Sequence, residues 1–436
     1  MTSATRLFIL ATFLGIASPA FATEDTERFA WHVQATFVEQ HVNNFKSPYA
    51  GDDSLTPNRT RQTADVTLYA GARLWHGAEL WINPELDQGF GLDDTTGLAG
   101  FSSGEAYKVG RSTPYLRWQR AFVRQTWSLG GEKSAIDAGP NQFSGEIESD
   151  RIVMTVGKFG VGDVFDTNRY AHDPREDFLN WSVIDTGSFD YAADAWGYTA
   201  GAAVEWYRGP WTLRSGFFDV SDVPNSARLE PGFDENQWIV ELERRFTVGG
   251  RPGKLAATAF STHARMALLA EAIAWGDLHG TVPDPAAVRQ TRDRQGVSLN
   301  LEQEVRDGIG LFVRAGTAAG NVETYDFTDI DHSLVTGMTI GGAHWDGAQD
   351  TAGLAFVVNG ISAQRRRFLA AGGLGVLVGD GQLEHADNEQ ILEVYYELCA
   401  FKPVQVTSDF QRVQNPAYNR DRGPVTIVAL RFHVQI

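Results

Sequence analysis

The stretch AWGYTAGAAVEWY, residues 195–207, alternates with a period of two. Trp196, Tyr198, Ala200, Ala202, Val204 and Trp206 share one face, while Ala195, Gly197, Thr199, Gly201, Ala203 and Glu205 share the other. An apolar face backed by a small or polar one predicts a strand with a dry side and a wet side. Between the two tryptophans such a strand runs ~33 Å at ~3.3 Å per residue. Tilted by ~40°, it rises roughly 25 Å, the height of an outer-membrane apolar band bordered by aromatic rings. A soluble sandwich would instead place its largest rings in mid-strand.

The same grammar recurs outward from this segment. After Arg208-Gly209-Pro210 the chain returns as WTLRSGFFD (211–219), with Trp211, Leu213 and Phe217 opposing Thr212, Arg214 and Gly216. In 296–316, Val297, Leu299, Leu301 and Val305 oppose Ser298, Asn300, Glu302 and Glu304, and Asp307-Gly308 is a hairpin signal. The last residues, TIVALRFHVQI, alternate to Ile436, which suits closure against FAWHVQATFV at the start.

Sixteen such segments are counted, near 29–40, 63–74, 79–87, 115–127, 151–159, 192–206, 211–219, 237–246, 254–262, 294–305, 309–316, 332–343, 350–360, 388–400, 404–412 and 424–436. Long and short connections alternate between them, as long extracellular loops and short periplasmic turns do. The exception is 128–150, which falls on the short-turn side but is long. The predicted fold is therefore all-β, a transmembrane antiparallel barrel of sixteen strands, with eighteen as the alternative count. The helical patch ARMALLAEAIAW (264–275) reads as a helix inside a long loop.

Composition agrees. The chain begins MTSATRLFILATFLGIASPAFA, a basic residue, a short apolar run and an Ala-Phe-Ala site, which predicts a secretory signal peptide at 1–22 and a single barrel domain at 23–436. With 37 basic against 55 acidic residues and a net charge of −18, nucleic acid is an unsuitable partner. The single Cys399 excludes a disulfide framework within one subunit. Only 43% of residues are hydrophobic, so a membrane crossing has to be made by alternating strands.

Nine strings occur in order: NPELDQGFGL (83–92), GEAYKVG (104–110), VFDTNRYAHDPREDFLNW (164–181), DYAADAWGYT (190–199), GVSLNLEQ (296–303), YDFTDID (325–331), VVNGIS (357–362), AAGGLGVLVGDG (370–381) and NPAYNRDRGPV (415–425). Through them nearly the whole mature chain resembles the carbohydrate-selective outer-membrane porins of Gram-negative bacteria, the OprB family. The resemblance implies a sixteen-stranded barrel in the outer membrane that admits sugars by passive diffusion; no cofactor, metal or catalytic residue is expected. One departure is the final Ile436, where outer-membrane proteins commonly end in Phe.

By analogy with porins, the loop at 160–191 is expected to fold into the lumen and constrict it. Sugars offer hydroxyls and weakly apolar C–H faces, so a constriction needs carboxylate acceptors, planar Arg donors and rings. In this loop Asp166, Asn168, Arg169, Asp173, Arg175 and Trp181 fit, with Phe165, Tyr170, Glu176, Asp177 and Phe178 beside them. From the wall, Asn83, Glu85 and Asp87 share a face with Glu79 and Trp81, and Arg120 and Arg124 share a face of the next strand. Arg117 falls on the opposite face unless a bulge intervenes. Acid and base on opposite walls would set up a transverse field.

Three other readings fit parts of the sequence. Glu85 with Asp87, or Glu241 with Glu243, are spaced like glycosidase carboxylates, yet same-face acids recur all round the chain. His172 beside Asp173 lacks a second His at ligand spacing. An exported, water-soluble carbohydrate-active or adhesive β-protein is the alternative function. The expected partners are mono- or oligosaccharides and outer-membrane lipid, with a homotrimer compatible.

Overall fold

The computed structural model describes residues 27–106, 108–347 and 349–436; the expected leader lies outside them. Sixteen antiparallel strands close into one barrel, so the count of sixteen holds and eighteen does not. In chain order they are β1 (Phe29–Val42), β2 (Arg59–Trp75), β3 (Ala78–Gly89), β4 (Arg111–Ile136), β5 (Gly145–Phe159), β6 (Thr199–Arg208), β7 (Trp211–Asp219) and β8 (Asn236–Val248). They continue with β9 (Arg251–Met266), β10 (Gln290–Arg306), β11 (Ile309–Ala318), β12 (His332–Gly341), β13 (Thr351–Gly360), β14 (Glu389–Phe401), β15 (Val404–Gln414) and β16 (Val425–Gln435). Closure is made by β16 on β1, where His433 lies opposite Thr36 and Ile427 opposite Val42.

Alternation decides which way each side chain points. In β8, Trp238, Val240 and Leu242 are exposed on the outside, while Gln237, Glu241 and Glu243 are buried inside. Exposed Trp31, Trp75, Trp206 and Trp211 lie near the short-turn end, the aromatic border expected there. Tight turns at that end use glycine where the backbone must turn left-handed, as at Gly77 (φ 75°) and Gly308 (φ 70°). No helix among the described residues is long and apolar enough to span a membrane.

Two expectations need correction. Strand β6 starts at Thr199, not at 192, so Trp196 and Tyr198 belong to the preceding loop and Trp196 is not a girdle residue. The cause is local: Asp194 Oδ1 accepts from the amides of Trp196 (3.0 Å) and Tyr198 (3.3 Å), and Gly197 takes φ 95°. An Asx turn of this kind competes with the ladder. Second, 128–150 is not an overlong turn. Strands β4 and β5 carry on pairing, Ile136 opposite Gly145, and only 137–144 connects them.

The long loops carry α1 (Trp181–Ile184), α2 (Leu269–His279) and α3 (Ala363–Ala370). Helix α2 overlaps the helical patch read from the sequence, shifted toward its C-terminal end. Loops 90–106 and 160–198 fold inward: the Gly104 amide donates to the Leu179 carbonyl (2.7 Å), and the Ala99 (3.0 Å) and Gly100 (2.8 Å) amides donate to Glu389 of β14. An edge-to-face chain, Phe122–Phe159 (6.2 Å), Phe159–Phe218 (5.6 Å) and Phe218–Phe165 (6.0 Å), joins the start of the third long loop to the wall. Across the lumen, a Cβ on Gly310 would lie 2.0 Å from Tyr170, so glycine there lets the loop ring rest against β11.

Candidate functional site

The third long loop is held by wall side chains that reach its backbone. Arg314 of β11, fully buried, donates to the carbonyls of Val183 (2.6 Å), Ala171 (2.7 Å) and Asp166 (3.2 Å). Arg431 of β16 donates to those of Pro174 and Asp177, both at 2.7 Å. Glu241 of β8 accepts from the Asp166 amide (2.9 Å), and Glu393 of β14 from the Leu179 amide (2.6 Å). Asn180 caps α1 by accepting from Ser182 N. Irregular backbone at membrane depth is thereby supplied with partners.

Below and beside this loop stands the β3 face. Glu79, Trp81, Asn83, Glu85 and Asp87 all point inward, as the period of two requires, and the last four are buried. Arg175 of the loop docks on this face: its guanidinium lies 3.3 Å from Glu85, 3.3 Å from Glu105 and 3.7 Å from Asp65. Thr67 adds a hydrogen bond to Glu85 (2.5 Å). Burial first, and then Asp173, push the Glu105 carboxyl up although Arg175 pulls the other way.

On β4 the register shifts where β3 carries Pro84. Asn83 lies opposite Arg120 but Pro84 opposite Trp118, leaving Gln119 as an extra residue. Proline has no N–H for the ladder, and a bulge accommodates that. The bulge turns Arg117 inward with Arg120 and Arg124. Arg117 then pairs with Asp87 (2.8 Å) and lies 4.4 Å from the Trp196 ring. Arg120 grips Asp163 at 2.6 and 2.7 Å and lies 4.9 Å from the Tyr198 ring. Burial alone would raise the Asp163 carboxyl, but Arg120 and the Gly160 amide hold it below the ordinary range.

The groups here that keep solvent access are Asp163 (32% of its side chain), Lys158 (31%), Arg124 (29%) and Glu79 (23%). Lys158 pairs with Asp194 (2.8 Å), and Arg124 stands 3.7 Å from Glu79. Half-satisfied donors and acceptors beside half-buried Trp196 are suited to exchange hydrogen bonds with a hydroxylated solute. Acid and base are not on opposite walls: β3 and β4 are hydrogen-bonded neighbours, so their charges largely pair locally.

The structure thus separates the residues singled out from sequence. Asn83, Glu85, Asp87, Arg120, Arg124 and Arg175 come together along β3, β4 and the loop. Asp166 (φ 55°) and Asn168 are buried staples, both bonded to Asn300. Asp173 accepts from the Arg175 amide (2.8 Å), shaping a turn. Arg169 extends into solvent toward Glu304, 3.9 Å away. Trp181 is buried and stacked on Phe101, centroids 5.1 Å apart. Sequence reasoning missed Lys158, Asp163 and Glu105 and set Arg117 aside; Pro84 was the one visible sign of the bulge.

The chain matches the family described as "Carbohydrate-selective porin, OprB family" over residues 52–436. Among solved structures it is similar to the high-pH structure of Pseudomonas putida OprB, with 14% identity, a TM-score of 0.71 and 94% of each chain covered. It is also similar to the outer-membrane channel DcaP of Acinetobacter baumannii, with 11% identity, a TM-score of 0.53 and 94% and 97% of the two chains covered. No functionally curated sequence matches it. These likenesses support the barrel, and the family match carries the activity: the chain belongs to the OprB family of carbohydrate-selective porins and forms a channel for sugar diffusion across the outer membrane.

Proposed function

We propose that the selective passage runs beside β3–β5 and is narrowed by the loop at 160–191, with Arg124, Lys158, Asp163 and Glu79 meeting the solute and Arg120 holding Asp163 in place. The observation that carries this reading is the two-point docking of the loop, Arg120 on Asp163 and Arg175 on three carboxylates, which fixes charged groups at membrane depth. Sugar hydroxyls replace water on these groups one at a time, so passage needs no strong binding. Asn83, Glu85, Asp87 and Arg175 act one layer back, holding that surface in place. The channel performs no covalent chemistry in this reading, because Glu85 and Asp87 are already engaged by Arg175, Thr67 and Arg117.

The outward apolar side chains contact lipid, and residues 1–22 are removed on export. A homotrimer stays compatible with the outward face; sedimentation in detergent distinguishes one barrel from three. The constriction is tested by Arg124→Ala in planar bilayers. The sugar concentration for half-block should rise about fivefold, the equivalent of roughly 1 kcal/mol, with heat-modifiable mobility retained. An unchanged half-block removes Arg124 from the passage.

A further inference from the structure

The β4–β5 hairpin explains why 128–150 is so long. Its shaft projects beyond the β2–β3 turn at His76-Gly77, because Thr126 already hydrogen-bonds Gly77 while pairing runs on to Ile136 and Gly145. The tip then folds back into the barrel. Asn141 Oδ1 accepts from Asn83 Nδ2 (2.9 Å), and the Asn141 carbonyl accepts from Arg124 Nη1 (2.9 Å). Phe143 is 1% exposed, its ring centroid 5.0 Å from that of the inward Trp81 and 4.7 Å from the Arg73 guanidinium. Arg73 also donates to the Ser144 carbonyl (2.8 Å).

Asn83 lies five residues from Ala78, where β3 starts at the short-turn rim, and directly opposite Arg120. At ~3.3 Å per residue and a tilt of ~40°, that is roughly 12 Å inside the rim. A turn that reaches this residue has entered the lumen to the depth of the constriction. We propose that the tip 137–144 is a second narrowing element, entering from the periplasmic end, and that Asn141 is a specificity-determining residue on the sugar path. Its carbonyl takes one of the guanidinium donors of Arg124, so it sets how many remain for a sugar hydroxyl. Phe143 and Trp81 form the apolar seat that keeps the turn in place, and left-handed Asn141 (φ 55°) aims its amide at Asn83. Asparagine tolerates that conformation better than most residues.

The inference rests on the constriction reading only for the role given to Arg124, and its test needs no sugar. In a Cys399→Ser background, Asn141→Cys channels in planar bilayers are treated from the periplasmic side with a cationic methanethiosulfonate. Single-channel conductance should fall by about a quarter or more and recover with dithiothreitol, as expected for a charge added in a narrow pore. Glu132→Cys, exposed on the shaft, should react without that fall. Complete modification of Asn141→Cys, confirmed by mass, with no conductance change overturns the proposal, whatever the fate of the Arg124 test. A second variant replaces 137–144 by a two-residue turn. If it retains heat-modifiable mobility, its conductance should rise and its half-block by sugar should weaken roughly threefold. If it does not fold, the thiol result decides alone.

Discussion

Glu176 carries a pH-dependent charge beside the barrel wall. It lies on the third long loop, half-exposed, 4.0 Å from His433. Burial, with Asp173, Asp177 and Glu397 close by, lifts its carboxyl to about 7, although Arg431 opposes this. It is therefore negative above that pH and neutral below it. The preference for cations over anions, read from the reversal potential in a salt gradient, should fall between about pH 8 and about pH 6. In Glu176→Gln the step should vanish; an identical profile in the variant assigns it to another group. Arg120 and Arg117 teach a related lesson. Arg120 was legible because it keeps the period with Arg124, whereas Arg117 reaches the lumen only through the bulge opposite Pro84, which a strict period cannot express.

At the scale of elements, the third long loop is a folded insert tied to the barrel by Arg314, Arg431, Glu241 and Glu393. Arg314→Leu strands three loop carbonyls, and removing one partner from a buried charged cluster costs about 3–5 kcal/mol. The sixteen strands have their own ladder and should survive that loss. The expected outcome is a folded, heat-modifiable barrel with larger, noisier conductance and weakened sugar block. A variant with wild-type noise and block would show that Arg314 does not hold the constriction. The loop's charges and rings were legible as unusual, but their uses were not. Trp181 looks like a stacking platform in sequence and is packed on Phe101; Asp166 looks like a sugar acceptor and is spent on Asn300 and the Thr186 amide (2.7 Å). Those partners lie far off in the chain, where no local pattern links them.

The whole molecule is a barrel whose outside is dictated by alternation and whose inside is dictated by contacts between loops and wall. The first was readable because a lipid-facing position repeats every second residue, and Trp238, Val240 and Leu242 keep that rule. It failed at Trp196, where Asp194 turns the chain before β6 begins, and at 128–150, where strand pairing outlasts the barrel. The central claim is that this closed barrel passes sugars by diffusion. The direct measurement is single-channel conductance of the purified protein in a planar bilayer as a mono- or oligosaccharide is titrated in. Stepwise openings whose conductance falls saturably with sugar are predicted; openings indifferent to every sugar, or no conductance at any salt, would contradict it.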